Sequence, residues 1–278
     1  MRAEETLRAF DKTGIFMRSW IPARVAQSVV VICHGLADHS GRYDCVGNYL
    51  AECGHAVYGY DHRGQGRSCG PRGHVDRFSD YYDDLGMVVD TVAKRHPGLR
   101  VFVVGHSMGG LIALGYAQRN PGAISGLVAV SPGLALSMPV PAVERVLAGA
   151  VAHILPHLAI NTRLSPDHLT HDADIVAAYK ADPVRARKIT LRFWAEFDGA
   201  MADVSAHPEA VTVPTLFMPA GNDFICSTSH TVAFYEKVAA TDKRLIVWDG
   251  MYHEVLNEPN NREVLEVMEQ WISARRRS

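Results

Sequence analysis

The chain has 278 residues, 47 % hydrophobic and 21 % charged, with a formal net charge of -2. That balance excludes a disordered chain and supplies no overall field to recruit nucleic acid, while the length allows a large domain or a core with a sizeable insertion. The cysteines are five, an odd number without a CxxC pair, which argues against a disulfide framework or a zinc ribbon.

The N-terminal MRAEETLRAFDKTG is charged and lacks an apolar core, so no signal peptide is expected and a reducing cytoplasm is the expected location. IFMRSW (15–20) reads as an antiparallel edge strand. Strands follow at 28–33, 55–60, 99–105, 124–130, 214–219 and 243–248. They are short runs, apolar on both faces, as in a parallel sheet covered on each side. Helical patterns alternate with them at 44–53, 79–96, 107–119, 227–240 and 257–274. The second of these opens on Ser79 as an expected N-cap and closes at His96-Pro97-Gly98. From 134 to 207 no strand is expected, only short helices punctuated by Pro139, Pro141, Pro156, Pro166 and Pro183. The expected fold is a doubly wound α/β sheet built from 1–133 and 208–278, with 134–207 as a helical cap over the strands' carboxyl ends, where such sheets bind ligands. The apolar stretch 141–160 contains Glu144, Arg145, two histidines and a proline, which argues against a spanning helix. The basic ARRRS at the C-terminus reads as a solvated helix end.

One turn in this alternation invites chemistry. Gly105-His106-Ser107-Met108-Gly109 matches G-x-S-x-G between a strand and a helix, where a serine is held on a strained turn above the sheet. A serine hydroxyl needs a base, and the base needs an orienting acid. The chain order Ser, acid, His is met by Asp223, after strand 214–219, and His253, after strand 243–248. Asp198, Asp203, Asp249 and His230 are the rivals, less well placed at strand ends. Backbone N–H groups of Leu36 and Met108 are the expected oxyanion hole, with Gly35 permitting the turn that faces the Leu36 amide toward the serine. Other chemistries fail on spacing. Gly64, Gly66 and Gly70 do not make GxGxxG and no Walker lysine follows, and His153 and His157 have a proline and no glutamate between them. No cofactor and no metal are expected.

The segments HGLADHSGRY (34–43), YDHRGQGRSCGPRGHV (60–75), GHSMGG (105–110), GNDFICS (221–227) and GMYHEVLNEP (250–259) resemble the monoacylglycerol lipase and lysophospholipase branch of the α/β-hydrolases. The resemblance implies cofactor-free ester hydrolysis by Ser107, Asp223 and His253. It also implies an acyl tunnel beneath the cap and a site lined by Gly35, His106 and Cys226, the thiol as a bystander. Two departures stand out: Asp38 where that branch often has glutamate, and Ala37 in place of its usual glycine. The apolar side chains of 140–160 (Val143, Val146, Leu147, Val151, Ile154, Leu155, Leu158) read first as a cap helix packed against its neighbours, with Trp194 of RFWAEF (192–197) as cap core. The alternative is that part of this surface lines an acyl entry or makes transient contact with a membrane surface.

The expected reaction is therefore cleavage of a single-chain glycerolipid, most directly a monoacylglycerol. Lysophospholipid or general ester hydrolysis is the near alternative. A proline-iminopeptidase-type peptidase would need acids such as Glu144, Asp167 or Asp172 to grip a free amine, and a noncatalytic binding relative would lack a triad member, which this chain does not.

Overall fold

The computed structural model describes residues 2–138, 140–162 and 164–276, so Pro139 and the last two residues of the basic tail lie outside the described residues. The chain opens with β1 (Arg2–Arg8), paired antiparallel along its length with β2 (Gly14–Trp20). Then come β3 (Ser28–Cys33), α1 (Asp44–Glu52), β4 (His55–Tyr60), α2 (Ser79–Arg95), β5 (Val101–His106), α3 (Met108–Arg119) and β6 (Gly126–Val130). A long excursion follows through α4 (Ala142–Ile154), β7 (Ala159–Asn161), α5 (Ala173–Ala181), β8 (Lys188–Thr190) and α6 (Leu191–Ala206). The chain returns to the sheet with β9 (Thr215–Met218), α7 (Thr228–Lys237), β10 (Lys243–Leu245) and α8 (Asn261–Arg275). The main sheet runs β1-β2-β4-β3-β5-β6-β9-β10; β2 meets β4 antiparallel, and all pairs from β4 to β10 are parallel.

The central strands are apolar on both faces because both faces are covered. Val29, Val31, Val101, Val103 and Phe217 pack with residues of α2, α3 and α6. Their alternating neighbours Val30, Ile32, Phe102, Val104, Leu216 and Met218 pack with α1 and α8. This doubly wound sheet is the expected architecture.

Four expectations needed correction. β2 is not the edge: β1 lies outside it, with only Leu7 partly buried, and its RAEETLR sequence offers no hydrophobic period to read. Charges on an exposed edge also discourage pairing with another chain. The 134–207 stretch does contain strands, β7 and β8, paired antiparallel over three residues each and too short for a pattern. Ser79 is the first helical residue rather than the cap; Phe78 holds the cap position, and its N–H donates to Glu196 of α6 at 2.9 Å. The final core strand also stops early, at Leu245, although Trp248 still bridges Ala220.

The excursion is not uniform. Phe193, Phe197, Ala200, Met201 and Val204 of α6 join the same core as α2 and α3. In contrast, α4 leaves Val143, Val146, Leu147 and Ile154 between 59 % and 79 % exposed.

Candidate active site

β5 and α3 are joined by one residue. Ser107 sits there at φ 54, ψ -121, left-handed backbone that costs a side-chain-bearing residue about 1–3 kcal/mol. The turn survives because its neighbours are glycines: a Cβ on Gly105 would collide with Gly109 O, and one on Gly109 with the Cys33 carbonyl at the end of β3. Hydrogen bonds fix the backbone, Ser107 N donating to Val130 O (3.0 Å) while Ser107 O accepts from Gly133 N (2.8 Å) and Leu111 N (3.1 Å).

Asp223 and His253 come from the loops after β9 and β10. Asp223 Oδ1 accepts from the N–H groups of Ile225 (2.8 Å) and Cys226 (2.9 Å), and Oδ2 accepts from His253 Nδ1–H at 2.8 Å. Both side chains are almost wholly buried. Burial alone would raise the Asp223 carboxyl, but His253 and the two amides hold it below its ordinary value. Burial would likewise lower His253, yet the Asp223 charge outweighs it and the imidazole is raised above its usual 6.5. The rivals are engaged elsewhere: Asp198 pairs with Arg145, Asp203 with Arg119, His230 bonds the Ser205 hydroxyl, and Asp249 is exposed.

The Cys226 thiol reaches the Ser107 hydroxyl and is pushed well above its ordinary value by burial and by Asp223. Asp223, Cys226 and His253 present donor atoms within 4.8 Å of one another, a spacing a metal could use. Both Asp223 oxygens are already committed to hydrogen bonds and the thiol is held protonated, so this donor set fits an imidazole–carboxylate pair better than a cation.

The loop after β3 is locked by two histidines. His34 Nε2 accepts from His62 N–H (3.0 Å), which leaves its proton on Nδ1 to donate to Gly35 O (2.8 Å); His62 Nε2–H returns a bond to His34 O (2.9 Å). Both rings are held neutral, His34 pushed down to about 4, chiefly by burial. A Cβ on Gly35 would stand 3.2 Å from Ser107 Cβ, so the loop lies directly against the serine, and Leu36 joins it in the same cavity wall. Met108, wholly buried, follows Ser107 as the first residue of α3. Ala37 takes φ 56, the region that favours glycine, which is the residue expected there from the resemblance.

Sequence reasoning missed a buried polar network beneath this loop. Arg42 forks onto Glu254 with two 2.7 Å bonds and reaches Asp38 at 3.1 Å. Tyr43 donates to Asp38 at 2.9 Å, and its hydroxyl lies 3.2 Å from His106 Nδ1. His106 Nε2–H donates to the His253 carbonyl at 3.2 Å. Burial would raise Asp38 and Glu254, but Arg42 holds both below their ordinary range, and burial pushes His106 down to about 4. Asp38, Arg42 and Tyr43 lie within the quoted HGLADHSGRY, and Glu254 within GMYHEVLNEP. The signal was present, but nothing in one sequence says that two segments 212 residues apart meet.

Ser107 and His253 open on a cavity of about 900 Å³, with Gly35, His106 and Cys226 also in its wall. Leu136, Val140, Ala148, Leu191, Trp194 and Phe197 make much of it apolar. Of the acids weighed for an amine, Glu144 reaches the cavity, but Asp167 pairs with Lys180 and Asp172 caps α5.

A serine on a glycine-enforced turn, with an acid and a histidine at successive strand ends of a doubly wound sheet, is the arrangement of the α/β-hydrolases. The chain belongs to the family described as serine aminopeptidase, S33, whose model matches residues 24–260. It is 34 % identical to a monoacylglycerol lipase of Mycolicibacterium smegmatis over 98 % of this chain and 97 % of that protein. It is 33 % identical to phospholipase YtpA of Bacillus subtilis, covering 86 % and 92 %. The crystal structure of the Paleococcus ferrophilus monoacylglycerol lipase superposes with a TM-score of 0.84 at 28 % identity, over 94 % of this chain and 99 % of that one. The chain is thus an enzyme of the carboxylic ester hydrolase class, with a monoglyceride-lipase-like fold.

Proposed function

We propose that this enzyme hydrolyses the acyl ester of a monoacylglycerol, releasing glycerol and a fatty acid. The observation that carries the reading is the buried Asp223–His253 pair at 2.8 Å, opening with Ser107 onto a largely apolar cavity of about 900 Å³. His253 takes the Ser107 proton as Oγ attacks the ester carbonyl, and Asp223 keeps the imidazole in the tautomer that can accept it. The Leu36 and Met108 N–H groups stabilise the developing oxyanion, each donor worth about 2.7–4 kcal/mol of barrier in comparable enzymes. The tetrahedral intermediate collapses, His253 returns its proton to the leaving glycerol oxygen, and water then releases the fatty acid by the same path. Gly35, His106 and Cys226 shape the site as bystanders to the bond changes.

Residues 134–207 serve as the cap over this site, with the acyl chain running along Leu136, Val140, Leu191 and Trp194. The exposed apolar side chains of α4 and of Leu155 and Leu158 touch a lipid surface transiently, which delivers an insoluble substrate. The proposed contact is peripheral; no helix among the described residues is long and apolar enough to cross a membrane. A lysophospholipid is the second reading. Lys188 lines the cavity as a cation that a phosphate would meet, and one relative is named a phospholipase.

The test compares a long-chain monoacylglycerol, the matching lysophosphatidylcholine, a diacylglycerol and a short nitrophenyl ester at equal concentration, with Ser107→Ala as the blank. Preference for the monoacylglycerol supports the reading. Preference for the lysophospholipid moves the substrate to the second, and turnover of the short ester alone removes the lipid role of the cavity.

A further inference from the structure

His253 is flanked by a joint that the reaction scheme leaves without a role. Glu258, five residues on, is 3 % exposed, and its carboxylate accepts from Tyr252 N–H at 2.6 Å, from His171 N–H at 3.1 Å and from His171 Nδ1–H at 3.0 Å. The Thr170 hydroxyl divides its single proton between Glu258 Oε2 (3.1 Å) and Asn257 O (2.9 Å). Glu254 N–H adds a bond to Leu169 O at 2.7 Å. Leu169, Thr170 and His171 all belong to the excursion between β6 and β9, so one buried carboxylate ties that excursion to the residue preceding His253.

Aromatic rings span the same joint. His171 stacks on Tyr252 at 3.7 Å between centroids, Tyr252 meets Phe224 edge-on at 5.3 Å, and Phe224 stacks on His168 at 4.6 Å. Tyr252 precedes His253 and Phe224 follows Asp223. The two loops that bring the imidazole and its acid together are therefore held against the excursion on both sides.

We infer that Glu258 is a positioning residue, its carboxylate fixing the His253 loop against the 169–171 segment so that the imidazole keeps its register with Asp223 and Ser107. This rests on the catalytic reading of Ser107 and His253 given above. A displacement of about 1 Å in such a group can cost about 100-fold in rate, and a buried carboxylate meeting donors from two segments is a means of preventing it.

The test uses the full chain with Glu258→Gln and His171→Phe, a soluble nitrophenyl ester, and Ser107→Ala as the blank. An amide at 258 must turn its NH₂ toward Tyr252 N–H or His171 N–H, whereas phenylalanine at 171 keeps the ring stack and loses only the Nδ1 donor. Glu258→Gln is expected to lower kcat about 10- to 100-fold with KM held within about twofold, and His171→Phe to do the same less severely. The acid limb of kcat/KM should move to lower pH in both. His253 faces Asp223, Glu254, Asp38 and the ring of His106, and a loosened contact with Asp223 removes the charge that raises it. Wild-type kcat in both folded variants overturns the inference, as does a loss of kcat with an unmoved acid limb, or a change confined to KM. If Glu258→Gln does not fold, His171→Phe decides by the same readouts. Absence of Ser107-dependent turnover in the wild-type enzyme overturns the catalytic reading and the inference together, so the two failures are distinguishable.

Discussion

The ends of β5, β9 and β10 and the outer helix α4 obey opposite rules, although both border one cavity. At the strand ends the geometry is tightly constrained: Ser107 is held in left-handed backbone, Gly105 and Gly109 have no room for a Cβ, and Asp223 and His253 are buried and bonded to each other. On α4, Val143 and Val146 stand 70 % and 72 % exposed, and Glu144 and Ala148 line the cavity without a tight frame. Chemistry needs reacting atoms fixed to within a fraction of an ångström, while admitting a flexible chain needs apolar surface more than register. Substitutions should therefore be catastrophic at the first region and graded at the second.

The largest effect is expected from Ser107→Ala or His253→Ala, each lowering kcat by about 10⁶, by analogy with a hydrolase in which either residue alone costs as much as the whole triad. Measurable activity within 100-fold of wild type in either variant would remove the contrast at its root. Asp223→Asn should cost about 10⁴, because the amide lets the imidazole adopt the wrong tautomer. The same contact sets the pH profile. Only neutral His253 accepts the serine proton, and its pKa lies above 6.5, so kcat/KM should fall as pH drops through a value above 6.5. An acid limb below 6.5 would mean that the Asp223 charge is not felt.

Arg42→Met tests the frame rather than the chemistry. It strands Glu254 and Asp38 as buried carboxylates, and loss of one partner of such a pair destabilises by about 3–5 kcal/mol, readable in denaturant unfolding. The smallest effect is expected on α4. Val143→Ser with Val146→Ser should leave turnover of a short soluble ester within about twofold, yet reduce binding to anionic vesicles several-fold. An equal loss on both would make α4 part of the site's frame and erase the contrast.

How much of this was legible before the fold was known differs residue by residue. Ser107 announces itself because the elbow needs glycine at 105 and 109, and the requirement is local. Asp223 and His253 were readable from their place after apolar runs in the right chain order. β1 and the β7–β8 pair were not readable, since a charged edge strand and three-residue strands carry no hydrophobic period. The Ser79 cap failed for a related reason: Glu196 of α6, 118 residues away, satisfies the helix's first donor instead.

By itself, then, the sequence determined the sheet, the serine turn and the order of its partners, since each rests on local sterics or on periodic burial that neighbouring residues impose. The tertiary structure alone decided which acids and histidines are spent elsewhere, how Arg42 comes to join Asp38 to Glu254, and how Glu258 fastens the excursion to the histidine loop. Those contacts join segments dozens to hundreds of residues apart. Their strength comes from mutual burial of charge and hydrogen-bonding groups, which exists only once the chain has folded.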